Sequence, residues 1–401
     1  MIFATNERDV QLKRLDKLIS GIRTNKAELL EILTEIATYD SAEAEIESSL
    51  STLLGAEQEV ERYNPPSINR IAVYHSSNVL LYSYVLYAAI PSLFCKEILI
   101  RPSTKALSTM VKLHDFIMKQ ADMPSQLLPI SQRKFKEQAG QPDVVVFTGN
   151  YENSLKVQKT YPHSLFLYFG AGINPFIVGQ KANLADASKR AVAARVYNSG
   201  QDCMCPNVYF VHENIKENFL STLIQDIKEL RIGKRNEPGN VIAPLFYEGL
   251  SEQAQEYFTP IKDRIVYGGS VDVSSNYVEP TVVVSSLEKI GEVIEFFCPI
   301  FHVVTYRDEQ EVIDWLHAPE RIESTLGASV FGIPELAEKL RSTHIVSENV
   351  SLYDIENGNS PFGGYGLQAN YVCYQGSFTS RPLLISKEVS VAFNNKELHH
   401  S

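Results

Sequence analysis

Leucine and isoleucine recur at three- and four-residue steps from Arg8 to Arg62, as in Leu12, Leu15, Leu18, Ile19 and Ile22, then Leu29, Leu30, Ile32, Leu33 and Ile36. That period lays an apolar stripe along one side of a helix, so the chain is expected to open with amphipathic helices. Asn64-Pro65-Pro66 ends the pattern. Beyond it, short β-rich runs alternate with helical ones: a strand at 71–74, a helix reaching 94, a strand at 97–100, a helix over 103–120 and a strand at 144–147. The alternation predicts an α/β fold on a parallel, doubly wound sheet. Such sheets bind ligands at the carboxyl ends of their strands.

The same rhythm restarts after Gly172, with a strand at 177–178, helix 183–197, strand 208–211 and helix 213–231. Pro238-Gly239 and Gly268-Gly269 mark turns, and further strands are predicted at 281–284, 302–306 and 328–331, with a helix over 309–316. The last apolar run, 383–393, alternates like an exposed or pairing strand. A chain of 401 residues exceeds what one core usually supports, so two domains are expected.

Composition narrows the function. With 37 basic against 48 acidic residues the formal charge is -11, and no segment concentrates lysine or arginine, which argues against nucleic acid as a partner. Residues 1–10 lack the basic-then-apolar build of a secretory signal. The most apolar stretch, 79–94, is broken by Ser83, Pro91 and Ser92, too short and mixed for a membrane span. Five cysteines (Cys95, Cys203, Cys205, Cys298, Cys373) form an odd, sparse set, as expected of reduced thiols in a cytoplasmic protein. No metal site is expected, because Cys203-x-Cys205 lacks a second ligand pair and has no histidine cluster nearby.

The chemistry concentrates at Asn198-Ser199-Gly200-Gln201-Asp202-Cys203. A helix running into a Gly-Gln turn can present a side chain to a cleft beside backbone N–H groups aimed at the same point, which is what a developing oxyanion needs. Cys203 lies nearer that turn than Cys205, which precedes Pro206 and the strand. The structural alternative for any cysteine is a small buried apolar residue.

The hexapeptide resembles the Asn-x-Gly-Gln-x-Cys motif of the aldehyde dehydrogenase superfamily, and other segments follow in that family's order. Ser76-Ser77-Asn78 is similar to Pro-Trp-Asn, Arg101-Pro102-Ser103 to Lys-Pro-Ser, and Phe147-Thr148-Gly149-Asn150 to the Phe-Thr-Gly-Ser turn at the cofactor pyrophosphate. Tyr277-Val278-Glu279-Pro280-Thr281, Glu295-Phe296-Phe297-Cys298-Pro299 and Ser360-Pro361-Phe362-Gly363-Gly364 resemble three later motifs. The resemblance spans about 71–391 and implies a Rossmann-type cofactor domain joined to an α/β catalytic domain, with a shortened N-terminus. Under it, residues 1–171 hold the N-terminal helices and the dinucleotide-binding domain, 172–375 the catalytic domain, and 376–401 a return segment with a strand for dimerisation. It implies Cys203 as nucleophile and Asn78 as oxyanion donor. Arg101, Thr104, Gly149, Asn150, Glu295 and Phe297 would meet the cofactor, Glu295 at the nicotinamide ribose and Phe297 near the nicotinamide.

The departures from that pattern indicate the reaction. Phe169-Gly170-Ala171-Gly172-Ile173-Asn174-Pro175 stands where the family has Glu-Leu-Gly-Gly-Lys-x-Pro, so Phe169 replaces the general base that activates water. Such a base is worth about 10² to 10⁴ in rate, and a phenyl ring cannot take a proton. The expectation is a cysteine-dependent reductase that converts an acyl-thioester or acyl-phosphate to an aldehyde, with the acyl group carried by CoA or a carrier protein. A non-redox acyltransferase using Cys203 and a non-catalytic partner protein of the same fold are the alternatives. Thr104 stands where an acidic residue would bind the ribose 2′-hydroxyl, and Arg101 or Lys105 could pair with a 2′-phosphate, so NADP(H) is expected over NAD(H). His75, close to Asn78 in sequence, is a guess for the group that activates the thiol.

Overall fold

The computed structural model of the chain describes residues 5–394 apart from Gly291, Glu292 and Ile294. Helices Thr5–Thr24, Lys26–Leu33 and Tyr39–Tyr63 open the chain, and the predicted stripe, Leu15, Leu18, Ile22, Leu29 and Leu33, is buried in one core with the first sheet. That sheet begins with β1 (Ile68–Tyr74), β2 (Cys95–Arg101), β3 (Ser125–Leu127), β4 (Val144–Thr148) and β5 (Leu165–Phe169). Period-two alternation divides its strands between two faces. Ile71, Val73, Val144 and Val146 join the helical side, while Ala72, Tyr74, Val145 and Phe147 face a second cluster with Phe135 and Tyr161.

The next nine strands are β6 (Pro175–Val178), β7 (Val208–His212), β8 (Ile265–Tyr267), β9 (Val271–Asp272), β10 (Tyr277–Val278), β11 (Thr281–Ser286), β12 (Ile300–Tyr306), β13 (Gly327–Phe331) and β14 (Ile345–Glu348). All but β9 and β10, which form their own ribbon, make a second sheet in the order β14-β13-β6-β7-β12-β11-β8. The chain then returns to the first sheet as β15 (Asn370–Tyr374) and β16 (Ser377–Thr379), giving the order β16-β15-β5-β4-β1-β2-β3. Strands β5, β4, β1, β2 and β3 run parallel, and β15 pairs antiparallel to β5.

Register lines up the functional edge. Tyr74 is opposite Arg101 and Phe147, and Thr148 is opposite Phe169, so the carboxyl ends of β1, β2, β4 and β5 form one row. Cys203 lies in the loop between helix Leu184–Val196 and β7, at the amino edge of the second sheet.

Two expectations are corrected. Residues 383–393 do not form a pairing strand; Ile385–Asn394 is a helix that buries Ile385, Ser386, Glu388 and Val389. Positions at steps of one, three and four share one side only in a helix, and the buried polar members are held from outside it: Ser386 donates to Glu59 at 2.7 Å and Glu388 pairs with Arg381 at 2.6 Å. A dimer built on that strand loses its basis. The helix expected up to residue 94 is divided into an α-turn at Leu80–Tyr84, a π-helical turn at Val85–Ala89 and a 3-10 turn at Pro91–Leu93, because Pro91 supplies no N–H.

Replacing Ile385 with alanine is expected to cost about 2 to 4 kcal/mol in a denaturant titration, whereas Val391→Ala, on the exposed side of the helix, should stay within about 0.5 kcal/mol. Comparable losses at both positions would indicate the alternating strand instead.

Candidate active site

The approach to Cys203 is a rare backbone path. Asn198, Ser199 and Gly200 have φ of 48°, 57° and 86°, three consecutive left-handed residues. Each motif residue explains part of it. Asn198 accepts from the Thr38 N–H at 3.1 Å while its own N–H donates to Ser41 Oγ at 2.8 Å. Ser199 Oγ accepts from the Ala243 N–H at 3.0 Å, and Gln201 Oε1 from the Phe246 N–H at 2.8 Å. A Cβ on Gly200 would lie 2.6 Å from the Cys298 carbonyl carbon, so no other residue fits there. Beneath the loop the wholly buried Arg195 donates to the carbonyls of Pro206, Gly200, Phe296 and Cys298.

Cys203 is half-buried and lines a cavity of about 520 Å³ together with Phe169, Tyr87, Tyr353, Glu45 and Glu356. Its carbonyl accepts from Asn174 Nδ2 at 2.7 Å. Asp202, beside it, accepts through Oδ1 from the Met204 N–H at 2.9 Å and from the Tyr353 hydroxyl at 2.8 Å. Burial, with the charges of Asp202 and Glu295 next in size, holds the Cys203 thiol well above its ordinary value of 9, which favours the protonated thiol. Phe169 stands on the cavity wall with its ring 5.3 Å from Tyr87.

The remaining predicted residues divide. Asn78 ends the turn after β1, half-buried; its carbonyl accepts from Ser76 Oγ at 2.6 Å, its side-chain amide has no hydrogen bond among the described residues, and Val79 next to it lines the cavity. His75 does not line the cavity, and burial lowers its ring to about 4, which leaves a neutral imidazole unable to draw the thiol proton through charge. Arg101 donates from Nε to the Ile130 carbonyl at 3.2 Å, and Thr104 opens the 3-10 turn that follows. Gly149, with φ of 144°, precedes Asn150, whose side chain caps helix Tyr151–Gln158 by accepting from the Asn153 N–H at 2.9 Å. Glu295 remains exposed to solvent, although its charge reaches Cys203 and Tyr168. Phe297 packs edge-on to Tyr247 at 6.1 Å, and the Tyr247 hydroxyl donates to Ser77 Oγ at 3.2 Å with Lys105 Nζ 5.2 Å over its ring.

Tyr247 and the cavity carboxylates were not legible as site residues. Glu45 and Glu59 did leave a signal, since both sit in the apolar stripe of helix Tyr39–Tyr63 among Ala42, Ile46, Leu53, Ala56 and Val60. Glu45 Oε1 accepts from the Leu81 and Tyr82 N–H groups at 2.7 and 3.1 Å. Burial, then Asp202, pushes its carboxyl from 4.5 to about 7. Among the described residues no group of three or more His, Cys, Asp or Glu is arranged to hold a metal. No described helix is long and apolar enough to cross a membrane.

The aldehyde dehydrogenase family model matches residues 6–369, and the chain belongs to that family. It is 27% identical to aldehyde dehydrogenase 1 of Entamoeba histolytica over 59% of this chain and 44% of that protein. It is 30% identical to alpha-aminoadipic semialdehyde dehydrogenase of Rattus norvegicus, over 55% of this chain and 43% of that one. The chain's matches thus span about half the length of such relatives or less. The fold is shared with an aldehyde dehydrogenase of Brucella melitensis biovar abortus 2308 (TM-score 0.81, 20% identity, covering 96% of this chain and 84% of the other). It is also shared with the NADP-complexed glyceraldehyde-3-phosphate dehydrogenase GapN of Methanocaldococcus jannaschii (TM-score 0.78, 20% identity, covering 90% and 85%).

Two titrations follow from these environments. Alkylation of Cys203 by iodoacetamide, mapped by peptide mass, should be slow at pH 7 and rise roughly tenfold per pH unit through pH 9 without levelling off; a plateau near neutrality would contradict a thiol held high. The folded chain keeps the Glu45 proton that the unfolded chain loses, so stability should fall as pH rises from 4.5 to about 7. Glu45→Gln should remove up to about 3 kcal/mol of that fall, read as a Tm difference that grows across the same window.

Proposed function

We propose that the chain is a nicotinamide-dependent oxidoreductase acting through a thioacyl form of Cys203, and that its preferred direction is reduction of an activated acyl group to an aldehyde. The observation that supports this most is Phe169, on the cavity wall at the position where the family resemblance implies the water-activating glutamate.

The residues at the carboxyl edge of the first sheet fit a dinucleotide. Gly149 lacks the Cβ that would lie 3.2 Å from the Phe147 ring, and its open backbone leads into a helix start, where N–H groups suit a phosphate. Arg101 uses Nε on the Ile130 carbonyl and keeps its terminal nitrogens for a 2′-phosphate, and Thr104 brings no opposing carboxylate, which supports NADP(H) over NAD(H). Glu295 would take the nicotinamide ribose and Phe297 would bound the ring. When bound, the cofactor supplies the hydride.

Cys203 Sγ attacks the carbonyl of a thioester or acyl-phosphate, its proton leaves with the departing thiol or phosphate, and the acyl group is held as a thioester. The oxyanion would be met by the Cys203 N–H and by Asn78, whose side-chain amide has no hydrogen bond among the described residues and whose neighbour Val79 lines the cavity. Hydride supplied by the cofactor would add at the carbonyl carbon and expel Cys203 as a thiolate, which would take one proton from solvent to return to the thiol, leaving the acyl group reduced by two electrons to the aldehyde. Throughout, Phe169 and Tyr87 offer water no proton acceptor on their side of the thioester.

Incubation with an acyl-thioester panel and NADPH should give an acyl adduct on Cys203 and aldehyde, with free acid slower by about 10² or more. Phe169→Glu should raise acid formation. Rapid hydrolysis by the unaltered chain, or no adduct on Cys203 with any substrate, would defeat the proposal.

A further inference from the structure

The cavity in front of Cys203 carries an unbalanced charge. Among the described residues, five acidic residues line it, Glu45, Glu59, Asp202, Asp354 and Glu356, against one lining cation, Arg190, while the buried Arg195, outside the lining, acts favourably on Asp202. Arg190 is committed, at 3.1 Å to Asp186 and 2.8 Å to Asp354. Glu59 is also satisfied, one oxygen by Ser386 at 2.7 Å and the other by Asn359 at 2.9 Å.

Three carboxylates remain, each with one oxygen tied and the other without a hydrogen-bond partner among the described residues. Glu45 holds two backbone N–H groups through Oε1, Asp202 holds the Met204 N–H and the Tyr353 hydroxyl through Oδ1, and Glu356 holds the Tyr82 hydroxyl through Oε1. Glu45 and Asp202 are only 3% and 6% exposed, so their second oxygens have the cavity and little else to turn to. The charge of Asp202 acts unfavourably on both Glu45 and Glu356. Carboxylates that line one cavity and repel one another are costly to bury as charged groups unless something positive arrives. The rest of the wall, including Ile90, Phe94, Phe169 and Leu383, is apolar.

We propose that Glu45, Asp202 and Glu356 recognise a protonated amine on the substrate, so that the acyl group or aldehyde handled at Cys203 belongs to an amino-bearing molecule. A primary ammonium brings three N–H donors for the three free oxygens, and its carbon chain would lie along the apolar wall. A carboxylate or phosphate on the substrate chain would instead enter a cavity whose lining, among the described residues, offers no uncommitted cation, beside charges that burial shields poorly. This deepens the proposed function by naming its substrate class.

Binding is testable apart from chemistry. In thermal melts of the unaltered chain and of Cys203→Ser, n-butylammonium should raise Tm, while n-butanol should do so less and butyrate not at all; potassium chloride at equal ionic strength controls for a free cation. In turnover, an ω-amino thioester should exceed the chain-matched alkyl thioester in kcat/KM by at least about tenfold, and the ω-carboxy one by more. Glu356→Gln and Glu45→Gln should each cut the amino-to-alkyl ratio several-fold. Equal shifts by butylammonium and butyrate, a shift by potassium alone, or an unchanged ratio in both variants would overturn the recognition. A Tm response to the amine without any acyl adduct on Cys203 would keep the recognition and reject the acyl chemistry.

Discussion

Placement of Cys203 depends on a buried cation, Arg195, that makes no direct ion pair among the described residues and donates to backbone carbonyls instead. Arg195 collects the carbonyls of Gly200, Pro206, Phe296 and Cys298, which come from the segments before and after the nucleophile and from the distant motif that ends at Pro299. Each carbonyl would otherwise be a buried acceptor lacking its bond, at about 1 to 3 kcal/mol apiece. Their satisfaction offsets a run of three left-handed residues that no isolated segment would hold. Loop strain, the burial of Arg195 and the closeness of Gly200 to Cys298 are one constraint seen from three sides.

The same burial sets the electrostatics. An apolar cavity wall strips water from Cys203, Asp202, Glu45 and Glu356 together, and every one of these groups is shifted toward its neutral form. A thiol in that setting is poorly nucleophilic until something supplies positive charge or removes a proton. Among the described residues no histidine lines the cavity, and His75 is buried, with burial lowering its ring to about 4.

Helix Tyr39–Tyr63 links the opening helices to this chemistry. Its apolar positions lock it to the first sheet, while Glu45 reaches the start of the Leu80–Tyr84 turn and Ser41 and Thr38 grip Asn198. Helices that read in isolation as a packing layer thus hold both the nucleophile loop and one wall of its cavity.

Periodicity determined the helical opening and most of the alternation of strands and helices, because these rest on local spacing, and the Gly200-Gln201 pair marked the turn that carries Cys203. Its limit shows at Ile385–Asn394, where alternating apolar residues suggest a strand but the burial of Ser386 and Glu388 by Glu59 and Arg381 selects a helix. The continuous apolar run of β5 gave no period to read, and β15 owes its place to pairing with it. The motif Asn198-Ser199-Gly200-Gln201 pointed to Cys203, yet what each residue does depends on Ser41, Ala243, Phe246 and Cys298, far away in the chain. Only the tertiary structure gathered Glu45, Asp202 and Glu356 around one cavity, since desolvation and charge balance belong to the assembled interior and not to any stretch of sequence.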